Sequence, residues 1–136
     1  MFMDASGRPT TTKDASPDAT GVYLTSEGVQ GPKVWATRGR WCLLTGHNPA
    51  GHTDTIAIID HPGNTGYPTY WHARGYGLFA ANPLGRSIFD TKAEPFKYTI
   101  KKGDSTTFRY RIEIYDSAAT ADQINKDADA FAAKYK

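Results

Sequence analysis

The sequence predicts a mainly antiparallel β-sandwich, or part of one, with a C-terminal α-helix. Three observations carry this. Short runs of β-branched and aromatic residues recur along the chain, separated by glycine and proline. Two runs between residues 96 and 115 alternate apolar and polar positions with the period of a strand. From Ala121 onward the apolar residues fall three and four apart, which is the spacing of a helix stripe.

The 136 residues suit one domain with a real core, and 39% apolar with 12% aromatic content excludes global disorder. A formal charge of +2, with basic residues scattered apart from Lys101-Lys102, leaves no electrostatic footprint for nucleic acid. Cys42 is the single cysteine, so no intrachain disulfide and no cysteine-based zinc cluster can form. Between Trp41 and Leu43 it reads as a small buried apolar residue. No run approaches the roughly 18 apolar residues of a membrane span. The N-terminus lacks the apolar core of a secretory signal, so the sequence assigns no membrane contact and no compartment.

Residues 1–19 are rich in Ser, Thr, Asp and Pro and read as a flexible arm; residues 20–136 form the β-rich domain. Val22-Tyr23-Leu24 is the first strand, and Glu27 to Pro32 a loop. Lys33 to Thr37 and Arg40 to Thr45 are two apolar, aromatic runs broken at Arg38-Gly39, as in a bulged strand or a hairpin. After the loop Gly46 to Gly51, Thr55 to Ile59 is apolar on both faces, as a central strand would be. Gly77 to Ala81 is a further short strand. Phe96 to Lys101 and Thr106 to Tyr115 form a hairpin about Lys102-Gly103-Asp104, with Phe108, Tyr110, Ile112 and Ile114 on one face and Arg109, Arg111 and Glu113 on the other. Ala121, Ile124, Ala128, Phe131 and Tyr135 make the helix stripe. Thr120 and Gln123 match a capping box, and Asp122 suits the positive end of the helix dipole.

One stretch, Ile59 to Gly85, concentrates the groups able to bind or react. Asp60 and His61 leave the central strand and, if it continues, point to opposite faces. His72 and Arg74 share one face of an extended segment, and Trp71 and Ala73 the other. A guanidinium beside an imidazole favours its neutral form, able to act as base or ligand. Arg74 could hold a carboxylate, or pair with Asp60 and lock the loop. Trp71, Tyr67, Tyr70 and Tyr76 could offer ring faces to a sugar, or fill core beneath a long loop. Asn64 and Asn82-Pro83 suit turns. His47 and His52 flank a loop and could join His61 and His72 around copper or iron. Their spacing matches no standard metal signature, and no metal ligand is assigned.

Several segments together carry a family resemblance. They are Ile59-Asp60-His61-Pro62, Asn64, Pro68-Thr69, Trp71-His72, Arg74, Tyr76-Gly77-Leu78-Phe79 and Asn82-Pro83. Upstream stand Ser26-Glu27-Gly28, Val34-Trp35 and Arg40-Trp41; downstream, Lys102-Gly103-Asp104 and Phe108-Arg109-Tyr110-Arg111. From Val22 to Tyr115 the chain resembles the PmoA-like family of soluble bacterial proteins, labelled "methane oxygenase". Ile59 stands where that family usually has Phe, and Tyr67 where it has His. The resemblance implies a C-terminal part of a longer unit, lacking an N-terminal half or self-associating, and a carbohydrate ligand. It implies His61 or His72 as acid/base, Asp60 as orienting carboxylate and Arg74 as anion or carbonyl contact. Asn64, Trp71 and Tyr76 would bind substrate. A non-catalytic structural or interaction domain, and a metal-dependent oxygenase, are the other readings. Whether the chain is an enzyme, and its cofactors, are left open.

Overall fold

The computed structural model describes residues 20–135, so the arm expected over residues 1–19 lies outside the described residues. The described elements are β1 (Val22–Thr25), β2 (Trp41–His47), β3 (Thr53–Asp60), β4 (Tyr70–Ala73), β5 (Phe79–Asn82), α1 (Arg86–Phe89), β6 (Tyr110–Tyr115) and α2 (Ala121–Lys134). A 3-10 turn covers Gly31–Val34. One antiparallel sheet runs β1-β2-β3-β6, and β4 pairs with β5 in a second. The architecture is mainly antiparallel β with a C-terminal helix, as the strand runs and the helix stripe predict.

β3 is central because both its faces are apolar. In register with β2, Trp41 lies opposite Ile59 and Leu43 opposite Ala57 on one face. Cys42 opposite Ile58 and Leu44 opposite Ile56 occupy the other. The first face is covered by α2, whose Ile124, Ala128 and Phe131 pack on Trp41, Leu43, Ala57 and Ile59. Thr120 caps this helix by accepting from the Gln123 amide at 3.2 Å, and Asp122 sits in its first turn. Polar pins fix its azimuth. The Trp41 indole donates to Asn125 at 2.8 Å, and Arg40 reaches Asn125 at 2.7 Å and Asp129 at 2.6 Å.

The second face receives the β4–β5 sheet. Trp71, Ala73, Phe79 and Ala81 pack on Tyr23, Cys42 and Leu44, with Val34 closing one side. The Tyr23 hydroxyl lies 3.3 Å from the Arg74 carbonyl and 3.1 Å from that of Leu78, at the turn joining β4 to β5. Two strands cannot cover four, and coverage fades across the sheet. Leu44 is 1% exposed, its neighbour Ile56 is half-buried, and Ile114 beyond is 76% exposed. Cys42, Ile58 and Ile112 repeat the gradient, ending at 65%.

Two expectations are corrected. Lys33 to Thr37 is not a strand. Gly31 adopts a positive φ and Pro32 starts a 3-10 turn, which the Thr37 amide closes on the Val34 carbonyl at 3.1 Å. Phe96 to Lys101 joins no ladder among the described residues. Its turn forms, with Asp104 donating to Lys101 at 3.0 Å, and Tyr98 bonds Thr106 at 2.6 Å. β6, however, pairs with β3. Alternation gives a strand its faces but does not choose its partner, and the apolar β3 wins. The apolar Ile112 and Ile114 side of β6 is exposed.

Candidate functional site

Asp60 and His61 point to opposite sides of the sheet, as adjacent residues at a strand end must. Asp60 is buried between the sheets. One carboxylate oxygen accepts from the Asn64 amide at 2.8 Å and the other from the Thr69 backbone at 2.9 Å. Asn64 also donates to the Arg109 carbonyl at 2.6 Å and accepts from the Arg109 amide at 2.7 Å. The loop is thus tied to the strand leading into β6. Burial pushes the Asp60 carboxyl above its ordinary range, against the pull of the Asn64 and Thr69 donors. Among the described residues Asp60 makes no ion pair, so the expected alternative of an Arg74–Asp60 lock gives way to a lock built from Asn64. Tyr110 stands opposite Asp60 in the ladder. Its hydroxyl is buried beside Thr69, and burial, then the Asp60 charge, pushes its pKa up to about 12.

His61 lies on the helix side. Its Nδ1 accepts from the Gly63 amide at 3.0 Å, which leaves Nε2 to carry the proton of the neutral ring. Nε2 is buried without a hydrogen-bond partner among the described residues. The ring meets Phe131 edge-on at 5.1 Å and Tyr135 at 5.9 Å. Its surroundings are those of a residue that seats α2.

β4 sorts its side chains by alternation. Trp71 turns inward, is 0% exposed, and donates its indole N–H to the Gly39 carbonyl at 3.1 Å. It offers no ring face to a ligand. His72 and Arg74 turn outward. His72 meets Phe89 edge-on at 5.5 Å, and the Arg74 guanidinium lies over the Trp35 ring at 4.3 Å. Tyr70 stacks on Phe89 at 5.4 Å, and Trp35 meets Phe89 at 5.8 Å. Arg38 caps the cluster, 5.2 Å above Tyr70, while donating to the Pro68 carbonyl at 2.9 Å. The outer side of the second sheet therefore carries four rings, Trp35, Tyr70, His72 and Phe89, between two guanidinium groups. Arg74 makes no ion pair among the described residues. The Trp35 indole N–H is buried and unbonded among them.

The structure thus divides the predicted site. Asp60 and Asn64 form an internal lock, Trp71 is core, and His61 packs under the helix. His72 and Arg74 stand together on an outer face. Tyr76 sits in the turn where the Gly77 amide bonds the Arg74 carbonyl at 3.0 Å. The two imidazoles do not converge, because the four-stranded sheet and the β4 core face lie between them. His47 bonds Thr53 at 3.1 Å and His52 is exposed. Among the described residues no three His, Cys, Asp or Glu side chains gather as a metal would need. Burial pushes the Cys42 thiol far up, which fits an inert core residue.

Sequence reasoning about the site passed over Phe89, Arg38 and the ring face of Trp35. Phe89 lies on α1, a single turn after Asn-Pro-Leu-Gly, too short to show a periodicity. Trp35 was visible only as part of a motif. Gly66 could have pointed to the docking of this loop. It has a positive φ of 84°, and a Cβ there would come within 2.6 Å of the Pro83 carbonyl, so only glycine fits where the loop meets the β5–α1 turn.

Among the described residues no helix is long and apolar enough to cross a membrane. No curated protein and no solved structure matches the chain. Residues 10–129 match the model of one family, nearly the whole chain, and the protein therefore belongs to the family of unknown function DUF6807.

Proposed function

We propose that this domain binds a carbohydrate, without transforming it, on the outer face of the β4–β5 sheet. One observation carries the reading. The Arg74 guanidinium lies over the Trp35 ring at 4.3 Å, free of any carboxylate among the described residues, just past the end of β4 and on the same side as His72. The half-buried rings of Trp35, His72 and Phe89 beside the Arg74 fork suit a saccharide, the rings meeting C–H faces and the guanidinium meeting oxygens, while Arg38 spends its donors on the Gly66, Tyr67 and Pro68 carbonyls. An uncompensated guanidinium favours a sugar bearing a carboxylate. The ligand class agrees with what the PmoA-like resemblance implies. Catalysis is not part of the reading, because Asp60 spends both oxygens on internal donors and His61 faces the helix.

Titration calorimetry with neutral and uronate oligosaccharides tests it. Arg74→Ala and Trp35→Ala are expected to weaken binding about tenfold or more, the equivalent of about 1.4 kcal/mol. Arg74→Ala should leave the melting temperature close to wild type. Absence of saccharide binding by the wild type, or equal binding by both variants, overturns the proposal.

A further inference from the structure

The four-stranded sheet has two edges, and they are finished differently. Along β1 the chain covers its own edge. Leu24 forms a bridge with Gln30, and the Thr25 amide bonds the Val29 carbonyl at 3.0 Å. Along β6 no strand pairs with the outer edge among the described residues.

The hydrogen-bond phase shows which β6 groups that edge presents. The His61 amide donates to the Arg109 carbonyl at 3.2 Å, while the Asp60 amide donates the other way, to Arg40, at 2.9 Å. Odd-numbered positions of β3 therefore face β6. Their partners Arg109, Arg111, Glu113 and Tyr115 turn their N–H and C=O inward. Tyr110, Ile112 and Ile114 turn theirs outward. An open row of this kind is a template for another strand, and natural edges usually block it with charged side chains, proline or a bulge.

β6 has no proline and no bulge. Its charges are Arg111 and Glu113, placed symmetrically about Ile112 and of opposite sign; within one chain they pair with each other at 2.5 Å, and a second copy would extend this pair into a four-membered network. A two-fold axis through Ile112, perpendicular to the sheet, places Ile112 opposite Ile112 of a second copy, and Tyr110 opposite its Ile114. On the helix side it places Arg111 opposite the second copy's Glu113, twice over. All three outward residues then exchange backbone hydrogen bonds. Sliding by one pair in either direction sets Arg111 against Arg111, or Glu113 against Glu113. The Tyr115 hydroxyl sits between the Glu113 and Asp127 carboxylates, 3.0 Å from the latter. The exposed Ile112 and Ile114 would gain cross-strand apolar neighbours.

We propose that β6 pairs antiparallel with β6 of a second copy of this chain, in the register centred on Ile112, making one eight-stranded sheet across a two-fold axis. The contact is isologous and therefore closes at two. It is narrow, so the dimer is weak, and concentration-dependent between about 1 μM and about 1 mM.

Sedimentation equilibrium and amide exchange on the full 136-residue chain test this. The mass should rise toward twice the monomer with concentration, and the Ile112 and Ile114 amides should become protected over the same range. Arg111→Glu alone and Glu113→Arg alone each set like charges opposite one another and should raise the dissociation constant at least tenfold. An equimolar mixture of the two variants restores opposite charges at both pairs and should dimerise like wild type. A monomer at every concentration overturns the proposal. So does a dimer that leaves those two amides exchanging freely, or a mixture no tighter than either variant alone. The exchange measurement needs no variant and stands even if a substitution perturbs folding.

Discussion

The two faces of the four-stranded sheet are built from the same strands and are finished to different degrees. On one side α2 lays Ile124, Ala128 and Phe131 across Trp41, Leu43 and Ile59, and Asn125 ties the helix to both Arg40 and Trp41. On the other, β4 and β5 shield β1 and β2 and stop short of β6. The helix-covered face is a completed core. The opposite face is a core along one half and an apolar surface along the other. The difference shows that apolar alternation in a strand records a capacity to be covered, and that topology decides whether the cover arrives.

The contrast breaks most severely at Trp41. Trp41→Ala removes a buried indole from the helix-covered face and frees its hydrogen bond to Asn125. A loss of about 3–5 kcal/mol is expected in denaturant unfolding. A loss below about 1 kcal/mol would mean that α2 is not seated as described.

Asn64→Ala ranks next, at about 2–3 kcal/mol, because Asp60 and both backbone groups of Arg109 lose a partner at once. The same lock has a signature in pH. Burial is the largest influence on Asp60 and raises its pKa on folding, so the folded state holds the proton more firmly than the unfolded chain does. The stability this group contributes is complete below the unfolded carboxylate value and is lost as pH rises through the folded one. The melting-temperature advantage of wild type over Asp60→Asn should therefore shrink between about pH 3 and about pH 7. An advantage that grows over that range would show that the Asn64 and Thr69 donors outweigh burial.

Thr120→Ala tests the start of α2 and should cost about 1 kcal/mol, since the Gln123 amide loses its acceptor. Restoration by Thr120→Ser would separate the cap from side-chain packing.

How much of this was legible in the sequence follows from the range of each interaction. The α2 stripe and its cap are local, so Thr120, Gln123 and the Ala121–Phe131 spacing announced them. β3 was legible because Thr55 to Ile59 is apolar on both faces. The pairing of β6 was not. Phe96–Lys101 and Thr106–Tyr115 are adjacent and both alternate, and only the competition from β3, fifty residues away in the chain, undoes their hairpin. At the site, alternation correctly set His72 and Arg74 on one face and Trp71 on the other. Which face is outer depends on what Trp71 packs against, namely Tyr23, Cys42 and Leu44 from distant strands. The ring cluster was hidden for the same reason, since Trp35, Tyr70 and Phe89 come from three separate loops and strands.

The smallest expected effect is the most direct reading of the two faces, because one substitution can be made on both. Ile59 and Ile112 lie one step apart across neighbouring strands and face opposite ways; Ile114 continues the exposed side. Ile59→Thr places a hydroxyl in the helix-covered core and removes buried methyl surface, for an expected loss of about 2–4 kcal/mol. Ile114→Thr keeps the β-branch that suits a strand and changes a side chain already 76% exposed. Its effect on unfolding should stay within about 0.5 kcal/mol. The comparison belongs at about 1 μM protein, where association adds least. A loss above about 1 kcal/mol at Ile114 under those conditions would mean that the β6 half of the face opposite α2 is covered within a single chain, which would remove the asymmetry between the faces.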